Sequence, residues 1–205
     1  MSLVIVHTEV GNIGSVANMC RRIGVDPIIS SDPEEVEQAS KLLLPGVGAF
    51  DPAMEYLNRT GLKEALDRRF TAGIPILAIC LAMQLLLERS AEGELPGLGW
   101  IPGEVRHIRD GQDHELRVPH MGWAQIFPAT QHPLFDGVGP DARYYFVHSY
   151  TARPNDDRHV VATADYGGPF AAAVAKENVT GVQFHPEKSH RHGKALLRTF
   201  IEDVP

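Results

Sequence analysis

The stretch Ile76-Leu77-Ala78-Ile79-Cys80-Leu81-Ala82-Met83-Gln84 joins a short apolar run to an apolar segment of helical character. The run that follows Pro75 predicts a buried strand, and the residues after Cys80 predict a helix that continues to Ser90. A strand that leads directly into a helix is typical of α/β domains with parallel sheets. The junction places Cys80 at the carboxyl end of a strand, where open α/β sheets hold their functional sites.

The sequence on either side of this junction predicts the rest of the fold. Further short apolar runs alternate with helical patterns before it, and Pro45-Gly46 is expected to end a strand at Lys41–Leu44. After it, Val105–Ile108 and Glu115–Val118 flank Asp110-Gly111, which predicts a hairpin. The predicted fold is α/β, with an open, mostly parallel, flavodoxin-like sheet flanked by helices and an added, partly antiparallel β layer. No linker or repeat divides the chain, so residues 1–205 are expected to form one domain.

Composition excludes several classes of protein. The 205 residues are 43% hydrophobic and 22% charged, which suits a packed domain. A net charge of −7 without a basic cluster argues against a nucleic-acid partner. The apolar runs are shorter than a membrane span, and the first residues lack the features of a signal peptide. Two reduced cysteines are then expected, and with them a cytoplasmic location.

Cys80 is the candidate nucleophile. A turn from strand to helix lifts its side chain above the sheet edge, and a helix N-terminus favours the thiolate and offers free backbone N–H groups to an oxyanion. A buried structural cysteine is the competing explanation, since free cysteines are among the most buried residues. Cys20 lies within a helical pattern without a partner motif, so a structural role is expected for it.

His185-Pro186-Glu187 supplies a candidate base and the residue that orients it. Residues two apart in an extended chain face the same side, so the two side chains are expected to lie together. A carboxylate beside an imidazole fixes its tautomer and stabilises its charged form. A surface His–Glu pair is the alternative, but a cysteine on a turn together with a distant His-x-Glu predicts thiol-based acyl transfer.

The segment Pro45-Gly46-Val47-Gly48 could bring backbone amides close to a ligand, opposite the amide of Leu81. An ordinary strand-to-helix turn would use the same residue types. The segment lacks the Gly-Lys-Ser/Thr ending of a phosphate-binding loop.

A family resemblance covers nearly the whole chain, from about Val4 to Phe200. The motifs resemble class I glutamine amidotransferases, and within them the branch of glutaminase subunits that serve histidine biosynthesis. The two segments that point to this branch are Pro-His-Met-Gly-Trp and Tyr-Phe-Val-His-Ser-Tyr. In chain order the motifs are Pro45-Gly46-Val47-Gly48, Ile79-Cys80-Leu81-Ala82-Met83-Gln84, Pro119-His120-Met121-Gly122-Trp123, Tyr145-Phe146-Val147-His148-Ser149-Tyr150 and Gln183-Phe184-His185-Pro186-Glu187-Lys188-Ser189.

The resemblance implies a role for each matching residue. Cys80 would attack the side-chain amide of glutamine, His185 would transfer the proton, and Glu187 would hold His185. An oxyanion hole would be formed by Leu81, Val47 and Gly48. Glutamine would be held by Gln84, Glu92, His148, Ser149 and Tyr150.

The resemblance also implies a protein partner. Ammonia would pass into a (β/α)8-barrel cyclase subunit, which makes imidazole glycerol phosphate and an aminoimidazole carboxamide ribotide. The glutaminase would be stimulated by that partner, and the matching interface positions are Trp123, Tyr145 and Lys188. No metal or organic cofactor is implied.

The chain departs from the family pattern at several positions. Ala78 and Ala82 stand near the nucleophile where glycine is usual, Ala124 stands where asparagine is usual, and His7 and Glu9 alter the first loop. These departures leave two alternatives open: a paralogous glutaminase that feeds another synthetase, such as one that amidinates a surface sugar, and a catalytically impaired partner subunit. A cysteine hydrolase acting on peptides is a further alternative, which Gln84 and Glu92 disfavour. His120 could serve either the β layer or the interface.

Overall fold

The computed structural model describes residues 2–8, 11–110, 116–136, 138–139 and 141–204. The helices in chain order are α1 (Ile13–Ile23), α2 (Pro33–Glu37), α3 (Phe50–Thr60), α4 (Leu62–Thr71), α5 (Leu81–Leu85) and α6 (His190–Glu202). The strands are β1 (Leu3–Val6), β2 (Ile28–Ser30), β3 (Lys41–Gly46), β4 (Ile76–Cys80), β5 (Arg89–Ser90), β6 (Gly103–His107), β7 (His120–Pro128), β8 (Arg143–His148), β9 (Tyr150–Pro154), β10 (Val160–Asp165), β11 (Pro169–Lys176) and β12 (Val179–Val182).

Within the described residues, nine strands form one sheet in the order β2-β1-β3-β4-β12-β11-β10-β7-β8. The strands from β2 to β12 pair in parallel, with β4 between β3 and β12. The strands from β12 to β8 pair antiparallel and continue the same sheet. A second sheet, β5-β6-β9, combines a parallel pairing of β5 with β6 and an antiparallel pairing of β6 with β9. The predicted α/β class with a parallel core is confirmed.

Alternating side chains supply a core on each face of the large sheet. In β1, Leu3 and Ile5 pack on one face, together with buried residues of α1 and α6. Val4 and Val6 pack on the other face, together with buried residues of α2, α3, α4 and α5. Strands buried on both faces must be apolar throughout, which explains the continuous apolar runs of the first half. Across the described ranges, no helix combines the length and apolarity that a bilayer crossing requires.

Two predicted element boundaries were wrong. Strand β3 does not end before Pro45 but continues to Gly46, in register with Ile79 and Cys80 of β4. The missing N–H of Pro45 is tolerated because the pairing of β1 with β3 extends only to Leu43. The helix after Cys80 ends at Leu85 and not at Ser90, because Glu88 and Ala91 donate backbone hydrogen bonds to β6 residues.

The predicted hairpin was also wrong. Strand β6 pairs with β9, with His107 opposite Tyr150, and not with a strand at Glu115–Val118. Residues 116–118 are not in a strand, and residues 111–115, which include Gly111 and Glu115, lie outside the described residues. The carbonyl of Leu116 instead accepts hydrogen bonds from the Arg109 side chain. The turn signal was local, whereas the pairing partner lies more than 40 residues away.

Candidate active site

Cys80 occupies a strained turn at the carboxyl end of strand β4, which lies between β3 and β12. Its backbone has φ 58° and ψ −113°, a conformation that a residue with a side chain rarely adopts. Such strain amounts to about 1–3 kcal/mol and persists where the surrounding packing enforces it. The side chain lines a cavity of about 320 Å³ at the edge of the sheet. The sequence predicted this position for Cys80 but not its backbone conformation.

Close packing around glycine enforces the turn. Gly46 lies opposite Cys80 in register, and a Cβ atom there would be 2.7 Å from the backbone nitrogen of Ala82. Gly181 lies opposite Ala78, and a Cβ there would be 2.7 Å from the Met83 side chain. Ala78 and Ala82 are themselves fully buried. The glycines of the neighbouring strands therefore leave room for the turn, which forms with alanine at both positions.

His185 and Glu187 lie together in the same part of the molecule. His185 Nδ1 is 2.8 Å from Glu187 Oε1, and each side chain is 2% exposed. The carboxylate accepts from Nδ1, so the lone pair of the neutral ring is on Nε2. Within the described part of the chain, Nε2 has no hydrogen-bond partner. A single-turn 3-10 helix at Pro186–Lys188 brings the two side chains together, and not the extended chain that we expected.

The electrostatics of His185 suit a proton acceptor. Burial lowers the pKa of His185, but the nearby Cys80 and Glu187 side chains raise it by more, and the net shift is upward. The Cys80 sulfur lies 3.9 Å from the carbonyl oxygen of Val147, to which the thiol can donate. His185 and Cys80 line the same cavity. The free Nε2 is therefore available for the thiol proton.

The oxyanion candidates Leu81, Val47 and Gly48 also line this cavity. Leu81 is the first residue of α5, so its N–H has no acceptor within the helix. Gly48 has φ +103°, which favours glycine over any other residue. Because α5 has five residues, its dipole contributes less to the site than the expected longer helix would.

The residues expected to hold the substrate line the rest of the cavity: Gln84, Glu92, His148, Ser149 and Tyr150. Gln84 Nε2 donates to the Tyr150 carbonyl oxygen at 3.2 Å and to Gln183 Oε1 at 3.1 Å. Burial raises the pKa of Glu92, although its Oε2 accepts a hydrogen bond from the amide of Phe50 at 3.0 Å. A carboxylate with part of its bonding capacity unused can bind a substrate ammonium group.

Three residues at the site were missed from the sequence. Pro119 and Val147 line the cavity. Gln183 is fully buried, and its Nε2 lies 3.8 Å from the Cys80 sulfur, within hydrogen-bond range for sulfur. Gln183 belongs to the motif that contains His185, which was the only signal for it.

The residues expected at the interface form one surface cluster. The Trp123 ring stacks on His190 with centroids 5.3 Å apart and meets the Tyr145 ring edge-on. Lys188 Nζ lies 5.6 Å from the centre of the Tyr145 ring. Met121 and Trp123 are 62% and 44% exposed on β7. The cluster adjoins the site, because the Tyr145 carbonyl oxygen accepts a hydrogen bond from the His185 amide at 2.8 Å.

The remaining residues singled out from the sequence are peripheral. Ala124 packs partly buried against the core beneath β7. The amide of His7 donates to the Ser30 carbonyl oxygen at 2.7 Å, and Glu9 lies outside the described residues. Among the residues that are described, no group of three or more His, Cys, Asp or Glu side chains could hold a metal ion.

Comparison with known proteins identifies the class to which this fold and site belong. The profile of the family "Glutamine amidotransferase class-I" matches residues 7–204. The chain therefore belongs to the class-I glutamine amidotransferases, as its motifs predicted, and it is a glutamine-hydrolysing enzyme.

Individual relatives define the branch of the family. The chain is 44% identical over 203 residues to "Imidazole glycerol phosphate synthase subunit HisH 2" of Pseudomonas aeruginosa, a match covering 98% of this chain and 100% of the relative. It is 44% identical over 200 residues to "Imidazole glycerol phosphate synthase subunit HisH" of Bdellovibrio bacteriovorus, covering 97% and 98%. These matches place the chain in the HisH group.

Solved structures agree on the fold. One described as "Crystal structure of glutamine amidotransferase" superposes with a TM-score of 0.75 at 19% identity and covers 97% of both chains. "Structure of PurLQS from Thermotoga maritima" gives a TM-score of 0.75 at 18% identity and covers 100% of this chain and 99% of the other.

Proposed function

We propose that this chain is the glutaminase subunit of an imidazole glycerol phosphate synthase and that it hydrolyses glutamine through Cys80, His185 and Glu187. The observation that carries the proposal is the arrangement in a single cavity. The cavity holds the Cys80 thiol on a strained turn and the His185 imidazole. The Nδ1 of this imidazole is bound to the buried Glu187 carboxylate, and its Nε2 has no hydrogen-bond partner among the residues that the structure describes. A nucleophile, a base and a group that orients the base are the parts that acyl transfer by a thiol requires.

The first half of the reaction forms a thioester. His185 Nε2 takes the proton of the Cys80 thiol, and the sulfur attacks the carboxamide carbon of glutamine. The backbone amides of Leu81 and of the Val47-Gly48 peptide stabilise the oxyanion of the tetrahedral intermediate. The imidazolium then gives its proton to the departing nitrogen, and ammonia leaves as the thioester forms.

The second half releases glutamate. Water gives a proton to His185 Nε2 and attacks the thioester carbon, and the Cys80 sulfur leaves and recovers a proton from the imidazolium. Glu187 keeps the ring in one tautomer throughout and stabilises its charged form. Every step uses side chains and backbone amides of this chain.

The opposite end of the cavity recognises the amino-acid part of glutamine. Gln84 uses both hydrogens of its Nε2 within the protein, which leaves its Oε1 as an acceptor for the substrate ammonium group. Glu92 adds a carboxylate for the same group. The His148-Ser149-Tyr150 backbone closes the wall of the pocket.

The proposed partner is a (β/α)8-barrel cyclase subunit that receives the ammonia. Relatives at 44% identity are named as subunits of a synthase, which implies a second subunit. The cluster of Trp123, Tyr145 and Lys188, together with the exposed Met121, is the surface that would meet it. The Tyr145 ring belongs to this cluster, and the Tyr145 carbonyl oxygen accepts a hydrogen bond from the His185 amide. A partner bound to the cluster would therefore contact a residue that is bonded directly to the proposed base.

Glutamate release with and without a barrel cyclase subunit and its nucleotide substrate tests this assignment. Strong stimulation by the cyclase is expected, and Trp123→Ala should weaken it more than Phe127→Ala, since Phe127 is exposed on the same strand but is not part of the cluster. Hydrolysis that the cyclase does not stimulate would instead assign the glutaminase to another acceptor enzyme.

A further inference from the structure

His120 is a buried histidine that the proposed mechanism does not use. It is 4% exposed and begins strand β7, between Pro119, which lines the cavity, and Met121, which is exposed. In the pairing of β7 with β8 it lies directly opposite His148, a residue of the cavity wall. A buried polar ring needs hydrogen-bond partners, so its contacts indicate its role.

The hydrogen bonds of the His120–His148 pair have a fixed direction. His148 Nδ1 is 2.9 Å from the Tyr150 carbonyl oxygen, which can only accept, so Nδ1 carries a proton. Burial lowers the pKa of His148 to about 3, so the ring is neutral and its Nε2 is an acceptor. His120 Nδ1 lies 3.1 Å from that Nε2 and therefore donates to it.

Packing holds the His120 ring in the orientation that this bond requires. The ring stacks on Tyr166, with centroids 4.0 Å apart and planes 19° apart, and on Phe146 at 5.1 Å. Phe170 meets it edge-on at 5.7 Å. Burial also lowers the pKa of His120 to about 4, so it too is neutral. The donor is thus fixed in position and in protonation state.

The pair is connected to the substrate pocket through one carbonyl group. The Tyr150 carbonyl oxygen accepts from His148 Nδ1 and also from Gln84 Nε2 at 3.2 Å. Hydrogen bonds therefore run from His120 to His148, and from both His148 and Gln84 to Tyr150. The last three residues line the cavity, and His120 does not.

We propose that His120 is a positioning residue, which sets the affinity for glutamine by holding His148 and, through it, the Tyr150 carbonyl in the pocket wall. This inference rests on the proposed glutaminase function. The Pro-His-Met-Gly-Trp segment would then serve the pocket through its histidine and the surface cluster through its tryptophan.

Nitrogen NMR spectra of the wild-type protein with labelled histidine test the pair without any substrate. His148, assigned with a His148→Gln variant, is expected to show a neutral ring with its proton on Nδ1 and no titration between about pH 5 and 8, as burial predicts. A proton on Nε2, or a titration in that range, would overturn the inference.

Glutamine binding tests the consequence. Calorimetric titrations in a Cys80→Ala background, where glutamine is not consumed, compare three variants. His120→Leu is expected to weaken binding about tenfold, because it leaves the buried His148 Nε2 without a donor. His120→Asn places an amide donor near the position of Nδ1 and should keep the affinity within about threefold. Ile126→Val, a buried change on the same strand, should leave it unaltered.

These results separate this inference from the proposed function. Equal affinities in folded His120→Leu and Ile126→Val proteins would overturn the role of His120. If the Cys80→Ala protein itself failed to bind glutamine, that would count against the glutaminase proposal, and the nitrogen spectra would still decide the His120–His148 pair.

Discussion

Cys80 has a strained backbone conformation in the turn from β4 to α5, where Gly46 of the neighbouring strand packs closely against Ala82. The strained Cys80 turn and the buried pair of His185 and Glu187 belong to one local arrangement. These three residues could be singled out as candidates from the sequence, because a cysteine at a strand end and a His-x-Glu pair each suggest a reaction role. Their geometry could not, since it depends on packing between strands that are distant in sequence.

Replacement of Glu187 tests the orienting role. Glu187→Gln should lower kcat for glutamate release by about a hundredfold or more, since the charged form of His185 loses its counter-charge. The loss also removes an interaction that raises the His185 pKa, so that pKa falls. Since the reactive state needs protonated His185 beside the thiolate, the basic limb of the pH–kcat profile should move to lower pH.

The control for this measurement is Glu35→Gln, which neutralises an exposed carboxylate in α2. It should leave both the rate and the profile unchanged. A Glu187→Gln enzyme with a wild-type kcat and an unmoved basic limb would contradict the orienting role.

Gln183 shows the limit of prediction at this scale. Its position two residues before His185 is visible in the sequence, but its contact with the Cys80 sulfur depends on β12 lying beside β4. Residues whose contacts are distant in sequence, such as Gln183 with Cys80 and His120 with His148, have no signature of residue type and spacing that points to their partner.

At the scale of elements, the turn after β4 depends on the strand beside it. The apolar runs predicted the strands well. The end of α5, however, is determined by hydrogen bonds with β6, and β3 can continue through Pro45 because its pairing with β1 is short. The helix and strand propensities of the local residues give no information about those long-range bonds. The turn itself requires Gly46, because its Cβ position is occupied by the Ala82 backbone.

A methyl group at position 46 tests this dependence. In Gly46→Ala the new Cβ would meet the Ala82 nitrogen at 2.7 Å and the Leu81 side chain at 3.2 Å, and displace the Leu81 amide. Glutaminase kcat should fall by about tenfold or more, since one oxyanion donor is disturbed. The new Cβ of Gly14→Ala in α1 would have no described atom within 4 Å, so the thermal stability of this variant should equal that of the wild type or be slightly higher.

The pair of variants is assayed for both rate and thermal unfolding. If Gly46→Ala matched Gly14→Ala in both measurements, the turn would not depend on close packing by β3.

At the scale of the whole molecule, a single mixed sheet joins the parallel half, which carries Cys80, to the antiparallel half, which carries Val147 and His148 of the pocket wall. The parallel half was predictable from strand–helix alternation. The order of the antiparallel strands was not, because β7 pairs with β8 and β10 across long separations in sequence. That residues 1–205 form one domain stays a prediction.

A buried lysine ties the start of strand β3 to the end of helix α6. Lys41 at the start of β3 is 7% exposed, and its Nζ donates to the carbonyl oxygens of Phe200 and Ile201 at 2.9 Å and to that of Val204. The first two carbonyls belong to the last turn of α6 and the third lies just beyond it, at a helix end where a cation is favourable. Lys41→Met should lower the free energy of unfolding by about 1–3 kcal/mol, since the buried acceptors lose their donor.

Urea unfolding measures this effect, with Lys63→Met as the matched control. Lys63 pairs with Asp67 one helical turn away and is 30% exposed, so its loss should change stability by no more than about 0.5 kcal/mol. A Lys41→Met protein as stable as wild type would show that α6 is held by apolar packing alone.

The central claim is that Cys80 is the nucleophile, and the most direct test is glutamate release by Cys80→Ala beside Cys20→Ala, each in the presence of the partner subunit. Cys20 is fully buried in α1, and burial raises its pKa to about 11, so Cys20→Ala should keep the wild-type rate. Cys80→Ala should remain folded and release no glutamate above the uncatalysed background. Glutamate release by folded Cys80→Ala at the wild-type rate would contradict the account.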